Sequence, residues 1–463
     1  MTRADLIQVA YLVAAFCFIL GLKWLSSPRS ARRGNQVAAI GMAIAIAATL
    51  IDRRVVDYVW IVIAAIVGAA IGAVVARRVQ MTAMPQLVAL LNGLGGGAAA
   101  LIAVSEYHVH GADGATALGA VGAVSIMFSA IVGSVSFAGS LVAFGKLQEF
   151  LPGRPITWPL QKAINALVGA GILALAVVAS LRIDDPLVWI VVVAALVLGA
   201  MAVLPIGGAD MPVVIAFLNA CTGLAAAATG FALGNVLLII AGVLVGASGT
   251  LLTQLMSKAM NRSLASVLFG AFGGGATGGA SASGEALPVL EITPPDLAAQ
   301  LAYARRVVIV PGYGLAVAQA QHPVRELMDL LVERGVDVTF AIHPVAGRMP
   351  GHMNVLLAEA DVPYDRLLEM EEVNPDFPQT DVVLVIGAND VVNPAARDDA
   401  ESPLHGMPIL EVDRAESVVV FKRSMAAGFA GVENMLFHDP KTRMLFGDAR
   451  KSLAQLVQDV QAV

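Results

Sequence analysis

Between Leu6 and Thr253 the chain runs through one apolar stretch of membrane-spanning length after another, and no other feature limits its fold as much. A bilayer core roughly 30 Å thick takes about 20 helical residues, and lipid offers no partner to a backbone N–H or C=O, so such stretches must be helical. They can be drawn at 6–25, 36–51, 56–76, 86–104, 117–144, 163–181, 187–204, 211–231 and 235–254, which predicts a multi-span bundle of about nine helices. The second is short and the fifth long, which marks them as candidates for a re-entrant or tilted segment. The first is as long as a full span and lacks a small-residue cleavage site, so it is read as a retained span rather than a signal peptide. Composition agrees, with 57% hydrophobic and 14% charged residues. A net charge of −6 leaves no basic face for phosphates and excludes nucleic acid as a partner.

Basic residues give the expected orientation. Lys23, Arg29, Arg32, Arg33, Arg77, Arg78, Lys146, Arg154 and Lys162 fall on one side of the predicted spans, against Arg3, Arg53, Arg54 and Arg182 on the other. The positive-inside rule makes the first side cytoplasmic, which puts the N-terminus outside and everything after Lys258 in the cytoplasm. Gly and Ala crowd the spans and let helices approach closely. Polar residues at membrane depth are therefore the informative ones. Asn92 and Asn219 each lie about 10 Å into a span and must face protein or water, as an interhelical clamp or as part of a conduction path. Asp210 opens the span that holds Asn219, as a proton acceptor or a helix cap. His108 and His110 are expected in an outer loop without metal, and Cys17 and Cys221 as buried free thiols.

From Gly270 to Glu285 the sequence GAFGGGATGGASASGE can hold no core and reads as a tether,. The expected division is a membrane domain over 1–262, a linker over 263–287 and a soluble domain over 288–463. The last has the pattern of an α/β Rossmann-like domain with a parallel sheet: a strand at Val307–Val310, a turn, a helical stretch to about Arg334, and a strand at Val336–Ile342. Gly312, Gly314 and Val317 give a G-x-G-x-x-V turn. There Gly312 permits the tight turn, Gly314 lets backbone approach a pyrophosphate, and Val317 packs where a third glycine often lies. The second strand ends Ala341-Ile342-His343 without the acid that takes an NAD ribose, whereas Lys422-Arg423-Ser424 after a strand at Val418–Phe421 could clamp a 2′-phosphate. NADP(H) is thus expected rather than NAD(H). Further strands are expected at Val382–Ile386 and Met407–Val412, with Gly387, Ala388, Asn389 and Asp390 lining a crevice at the strand ends.

These motifs, VPGYGLAVAQAQ from Val310, IHPVAGRMPGHMNVLLAEA from Ile342, VLVIGANDVVNPAA from Val383 and FKRSMAAGF from Phe421, resemble the beta subunits of proton-translocating NAD(P) transhydrogenases over essentially the whole chain. The resemblance implies a proton-conducting membrane domain and an NADP(H) domain in a bacterial cytoplasmic membrane. It also implies an alpha partner, one chain or two, that carries NAD(H), and a dimer of alpha–beta units among membrane lipid. Hydride would pass from NADH on the partner to NADP⁺ on this chain. Carried over by motif, the cofactor contacts would be Tyr313 with its glycines; Val345, Ala346, Gly347, Arg348, Met349 and Pro350; Gly387 through Val391; and Lys422, Arg423 and Ser424 at the 2′-phosphate. Met425, Ala426, Ala427, Gly428 and Phe429 would form a lid, with Asp448 and Ala449 nearby. The proton path would include Asp210, Asn219 and Asn92. Two positions depart from the pattern: Phe429 stands where the family often has Tyr, and Asn92 where some relatives have a His. A nucleotide-sensing pore is the rival reading, and hydride transfer with the partner present separates the two.

Overall fold

The computed structural model describes residues 3–51, 58–80, 83–111, 119–153, 155–182, 185–208, 210–260, 263–269, 288–349, 351–402, 404–426, 428 and 430–463. The chain divides into two compact units, Met1–Gln254 with Ala265–Phe272, and Leu255–Leu264 with Gly273–Val463. The glycine-rich stretch expected as a tether, 270–285, lies outside the described residues, as do Pro350, Ala427 and Phe429.

The helical unit is built from α1 (Arg3–Leu25), α2 (Pro28–Leu50), α3 (Val59–Arg78), α4 (Met84–Gly111), α5 (Gly119–Leu147), α6 (Gln161–Arg182), α7 (Asp185–Val203), α8 (Met211–Leu233) and α9 (Val236–Ala259). Among the described residues, 8 helices are long and apolar enough to cross a membrane, one fewer than expected. The exception is α2, which is not short. It is a 23-residue helix whose first turns carry Arg29, Arg32 and Arg33, and those charges lower its hydropathy below that of its neighbours. His108 and His110, expected in a loop, sit in the last turns of α4, because the helix continues past the apolar stretch that defined its predicted end.

Helix α5 is the hub, packing on α4, α7 and α8, while α1 packs on α2. Small residues make this possible: a Cβ on Gly96 of α4 would lie 2.9 Å from the carbonyl oxygen of Gly133 on α5. Burial is uneven, from 61% of the apolar window of α8 to 0% for α3, so α8 is the most enclosed of these helices among the described residues.

After the short α10 (Leu264–Phe269) and α11 (Pro294–Tyr303), the second unit forms a parallel sheet of β1 (Arg306–Pro311), β2 (Asp337–Ile342), β3 (Leu367–Glu369), β4 (Val382–Ile386), β5 (Ser417–Lys422) and β6 (Thr442–Phe446). The strand order is β3-β2-β1-β4-β5-β6, and every pairing is parallel, with Val307 of β1 opposite Val338 on one side and Val382 on the other. Its helices are α12 (Tyr313–Val317), α13 (Gln321–Glu333), α14 (His352–Glu359), α15 (Met370–Val373), α16 (Ala395–Asp398) and α17 (Ala449–Ala462). All five residues of β4 are buried, as the near-continuous apolar run of a central parallel strand requires. Chain order reverses between β1 and β4, and this switch point opens the crevice in which α/β sheets hold ligands.

Two sequence expectations need correction here. Met407–Val412 is not a strand: Pro408 has no N–H to donate, the place beside β4 is taken by β5, and the segment instead sends Leu410 N–H to the Val391 carbonyl,. The single helix expected after β1 is two, because Gln319 adopts a left-handed φ of 49° that ends α12 and restarts the chain as α13.

Candidate functional site

At the crevice the turn after β1 is laced to the loop after β4. Gly312 N–H donates to the Ile386 carbonyl and Gly314 N–H to the Gly387 carbonyl, both at 2.9 Å. Gly387 itself has φ +72°, and a Cβ on Gly312 would strike the backbone of Gly387 and Ala388. The room left by the absent side chain of Gly314 is filled by Gly387, whose Cα would lie 2.7 Å from an added Cβ. Val317 does not pack between helix and strand as expected. It is 48% exposed while Leu315 and Ala316 are fully buried, because α12 ends at Val317 and its last residue faces outward.

The loop after β2 forms the second wall. Buried His343 donates from Nε2 to the Pro408 carbonyl at 2.8 Å and accepts Val345 N–H on Nδ1 at 3.2 Å. Burial lowers its pKa to about 4, with the Pro408 contact and Glu371 opposing, so the ring is neutral at pH 7. Gly347, at φ +109°, approaches His352 so closely that a Cβ would lie 2.6 Å from the His352 Cβ. Arg348 N–H donates to His352 Nδ1 at 3.0 Å. The Arg348 guanidinium carbon lies 4.4 Å from the centre of the Tyr313 ring, and that ring lies 6.0 Å from His352. Burial, then the Arg348 charge, lowers the His352 pKa to about 4. With Nδ1 accepting, the proton of the neutral ring is on Nε2, a buried atom with no hydrogen-bond partner among the described residues. The structure therefore brings Tyr313, Gly347 and Arg348 together around one histidine that sequence reasoning did not single out. Ala346 is buried here, and Val345 packs against the core.

The third wall follows β4 and β5. Ala388 and Val391 are buried, while Asp390 Oδ2 accepts Ala430 N–H at 2.8 Å. The two cations read as a pair differ. Lys422 turns inward, donating to the Ala426 carbonyl at 2.6 Å and lying 4.4 Å from the centre of the Phe437 ring. Its pKa is lowered by burial, against the Asp390 carboxylate. Arg423 is 64% exposed and pairs with Asp448 Oδ2 at 3.0 Å. Asp448 also caps α17, which Ala449 begins. Ser424 accepts Ala426 N–H at 3.5 Å, and Met425 is exposed.

A dinucleotide with a 2′-phosphate suits this crevice. The orphaned Nε2–H of His352 and the exposed Arg423 offer donors, and β2 ends without a carboxylate. The acid beside that end, Glu369 of β3, is committed to a capping box with Glu372. Among the described residues no cluster of three or more metal-ligating side chains occurs.

In the helical unit, Asn92 is buried and donates to Ser140 Oγ at 2.9 Å and to Ser136 Oγ at 3.4 Å. Its Oδ1 has no hydrogen-bond partner among the described residues. Ser136 donates to the Leu218 carbonyl at 2.9 Å and meets Thr222 Oγ1 at 2.6 Å. Nearer the other end of α5, Ser129 Oγ meets Thr229 Oγ1 at 2.7 Å. Asn219, half-buried, lies between Leu218 and Thr222 in sequence, but no hydrogen bond joins it to Asn92 among the described residues. Asp210 is buried at the N-cap position of α8 and makes no capping bond with its side chain. Just before it, Lys146 donates to the carbonyls of Leu204 and Ile206. Sequence reasoning missed these hydroxyls, although the spacing of Ser129, Ser136 and Ser140 puts them on one helix face.

The sequence model of the family described as NAD(P) transhydrogenase beta subunit matches residues 7–459. The chain is also similar to the NAD(P) transhydrogenase subunit beta of Rhodospirillum rubrum, 51% identical over 460 residues that cover 98% of this chain and 99% of the relative. The same-named protein from a defined strain of that organism matches equally, at 51% over 460 residues.

Proposed function

Because the chain belongs to the NAD(P) transhydrogenase beta subunit family, we propose that its α/β unit holds NADP(H) in the β1/β4 crevice and exchanges hydride with NAD(H) carried by an alpha subunit. The observation that carries this reading is a parallel sheet whose second strand ends without a ribose-binding acid, while Arg423, 64% exposed and paired only at the surface with Asp448, follows β5 on the same side of the sheet order as β4. NADP(H) supplies the hydride chemistry when bound. The chain's own residues bind and orient it. The Tyr313, Arg348 and His352 cluster lines one wall, Gly387 through Val391 the other, and Arg423 is placed to meet the 2′-phosphate. Neutral His343 and His352 add no charge of their own beside the Arg348 guanidinium.

The helical unit is proposed to carry protons along α4, α5 and α8, from Asp210 past Asn219 and Asn92. Support comes from a buried network of Asn92, Ser140, Ser136 and Thr222, in which hydroxyls both donate and accept and one amide oxygen is left open,. In this reading residues 1–262 form the proton-translocating domain, 263–287 the linker and 288–463 the nucleotide domain. The protein lies in the bacterial cytoplasmic membrane with the nucleotide domain inside and the N-terminus outside, in a dimer of alpha–beta units whose alpha subunit is one chain or two. Co-expression with an alpha chain and assay in sealed vesicles tests it. Hydride transfer from NADH to an NADP⁺ analogue must depend on both subunits and respond to the proton gradient. Transfer indifferent to the gradient would remove the coupling.

A further inference from the structure

At the end of the helical unit where α5 and α7 finish and α6 and α8 begin, the connections are laced together. Ile156 N–H donates to the Leu204 carbonyl at 3.1 Å and Gly208 N–H to the Gly153 carbonyl at 2.8 Å. The segment after α5 is thus tied to the turn after α7 at two points. That turn leads straight into α8, with Asp210 N–H donating to the Gly207 carbonyl and Val214 N–H to the Asp210 carbonyl, both at 3.1 Å. Where the turn points therefore decides where the Asp210 carboxylate is presented.

Side chains from neighbouring helices also reach this layer, and they differ in what they hold. Gln86 of α4 donates to the Leu147 carbonyl and Gln161 of α6 to the Met201 carbonyl, each at 3.1 Å. Each amide satisfies one carbonyl at a helix end, which is capping and no more. Lys146, 3% exposed, donates to the carbonyls of both Leu204 and Ile206. Leu204 directly follows α7, so that bond is a cap, whereas Ile206 lies beyond the helix in the turn itself. An ammonium carries three donors on a flexible stem and can take two carbonyls at once. Burying its charge costs far more than burying an amide. A cap alone does not need that charge, since Gln86 and Gln161 supply caps in the same layer without it.

We propose that Lys146 is a positioning residue for proton translocation: by pinning the turn Leu204–Gly208 to α5, it fixes the place at which Asp210 takes up or gives up its proton. This rests on the reading of Asp210 as a member of the proton path. Lys146 handles no proton itself and acts only through Asp210. Ile206 and Asp210 are four residues apart, so a turn freed at Ile206 lets the head of α8 aim elsewhere. The α/β unit is compact by itself and keeps its nucleotide affinity. A displacement of about 1 Å slows a transfer step by about ten- to a hundredfold.

Lys146→Met keeps the apolar stem and loses the donors, while Lys146→Arg keeps several donors. Both would be made in the full chain, alone and with Asp210→Asn, and assembled with an alpha subunit. Proton pumping would be measured in sealed vesicles and NADPH affinity by calorimetry. For Lys146→Met the expected result is pumping about ten- to a hundredfold slower with NADPH affinity unchanged. Lys146→Arg should retain most of the pumping, and Lys146→Met should cost nothing further once Asp210→Asn is present. Wild-type pumping by Lys146→Met overturns the proposal. So do losses that multiply in the double variant, because the lysine then acts on something other than Asp210, and so does a loss in assembled Lys146→Arg as deep as in Lys146→Met. Should Lys146→Met fail to assemble, Lys146→Gln is judged by the same criteria. Failure of both to assemble would mean that the lysine supports the fold alone, which also overturns it. A complex that pumps normally with Asp210→Asn alone overturns the proton-path reading beneath the proposal, a result read separately from the lysine variants.

Discussion

Replacing Arg423 by Ala tests how the crevice tells a 2′-phosphate from a hydroxyl. The guanidinium is 64% exposed and already paired with Asp448 at 3.0 Å, so a phosphate must compete with water and with that carboxylate. A charge-assisted hydrogen bond contributes about 1.5–3 kcal/mol, and giving up an exposed ion pair costs about 0–1 kcal/mol. The net loss on substitution is about 1–2 kcal/mol, which corresponds to a Kd for NADPH roughly five- to thirtyfold weaker. NADH has no 2′-phosphate and should bind the variant about as it binds the wild type. Lys422→Ala should behave differently. Lys422 holds the Ala426 carbonyl and lies against Phe437, so its loss loosens the segment beside the crevice and weakens both nucleotides. Calorimetry of the full chain at fixed ionic strength, with both nucleotides and both variants, gives four Kd ratios. Equal weakening of NADPH and NADH by Arg423→Ala would refute the phosphate role.

Asn219→Leu should block proton pumping in sealed vesicles while leaving NADPH affinity unchanged; full pumping would make this Asn a packing residue only. Gly387→Ala, which needs φ +72° and would strike the backbone of Gly314 and Leu315, should destabilise the α/β unit by about 2 kcal/mol or more, as read by chemical denaturation. His343 and His352 are held neutral by burial with pKa values of about 4, against 6.5 when unfolded. Their folded pKa values are depressed, so the unfolded chain takes up protons first as pH falls. The stability they contribute is complete above about pH 6.5 and is lost toward pH 4, by about 3 kcal/mol for each ring. Denaturation midpoints equal at pH 7 and pH 4.5 would contradict neutral buried rings.

Much of this architecture is legible in the sequence because its signals are local. The apolar stretches locate α1 through α9 to within a few residues at most ends, and the runs Val307–Val310 and Val382–Ile386 mark the two strands at the switch point. What escapes is set by partners distant in sequence. Met407–Val412 reads as a short apolar run, but Pro408 cannot donate to a ladder and β5 already occupies the place beside β4. Val317 fits the fingerprint, yet α12 ends beneath it. Lys422 and Arg423 are neighbours in sequence, but Lys422 is the last residue of β5 and turns to Phe437, while Arg423 lies just past the strand and pairs with Asp448. Lys146 lies 58 and 60 positions from the Leu204 and Ile206 carbonyls it holds, and no periodicity announces them. His352 gains its role from Gly347 and Tyr313, which a linear motif cannot express.

The hydroxyls of α5 also restrict how α8 can move. Ser129 reaches the Ala225 carbonyl and Ser136 the Leu218 carbonyl, so the two helices are tied antiparallel at two levels about 10 Å apart. A ridge of apolar side chains can slip past its neighbour, but a donor fixed on one carbonyl at each level cannot follow a rotating cylinder. Turning α8 about its own axis would break both ties at once inside a medium that offers no replacement. Helix α8 is therefore keyed to α5 and can tilt or slide only with it, so any displacement at the Asp210 end reaches Thr229 as motion of a two-helix plate rather than as a twist of one rod.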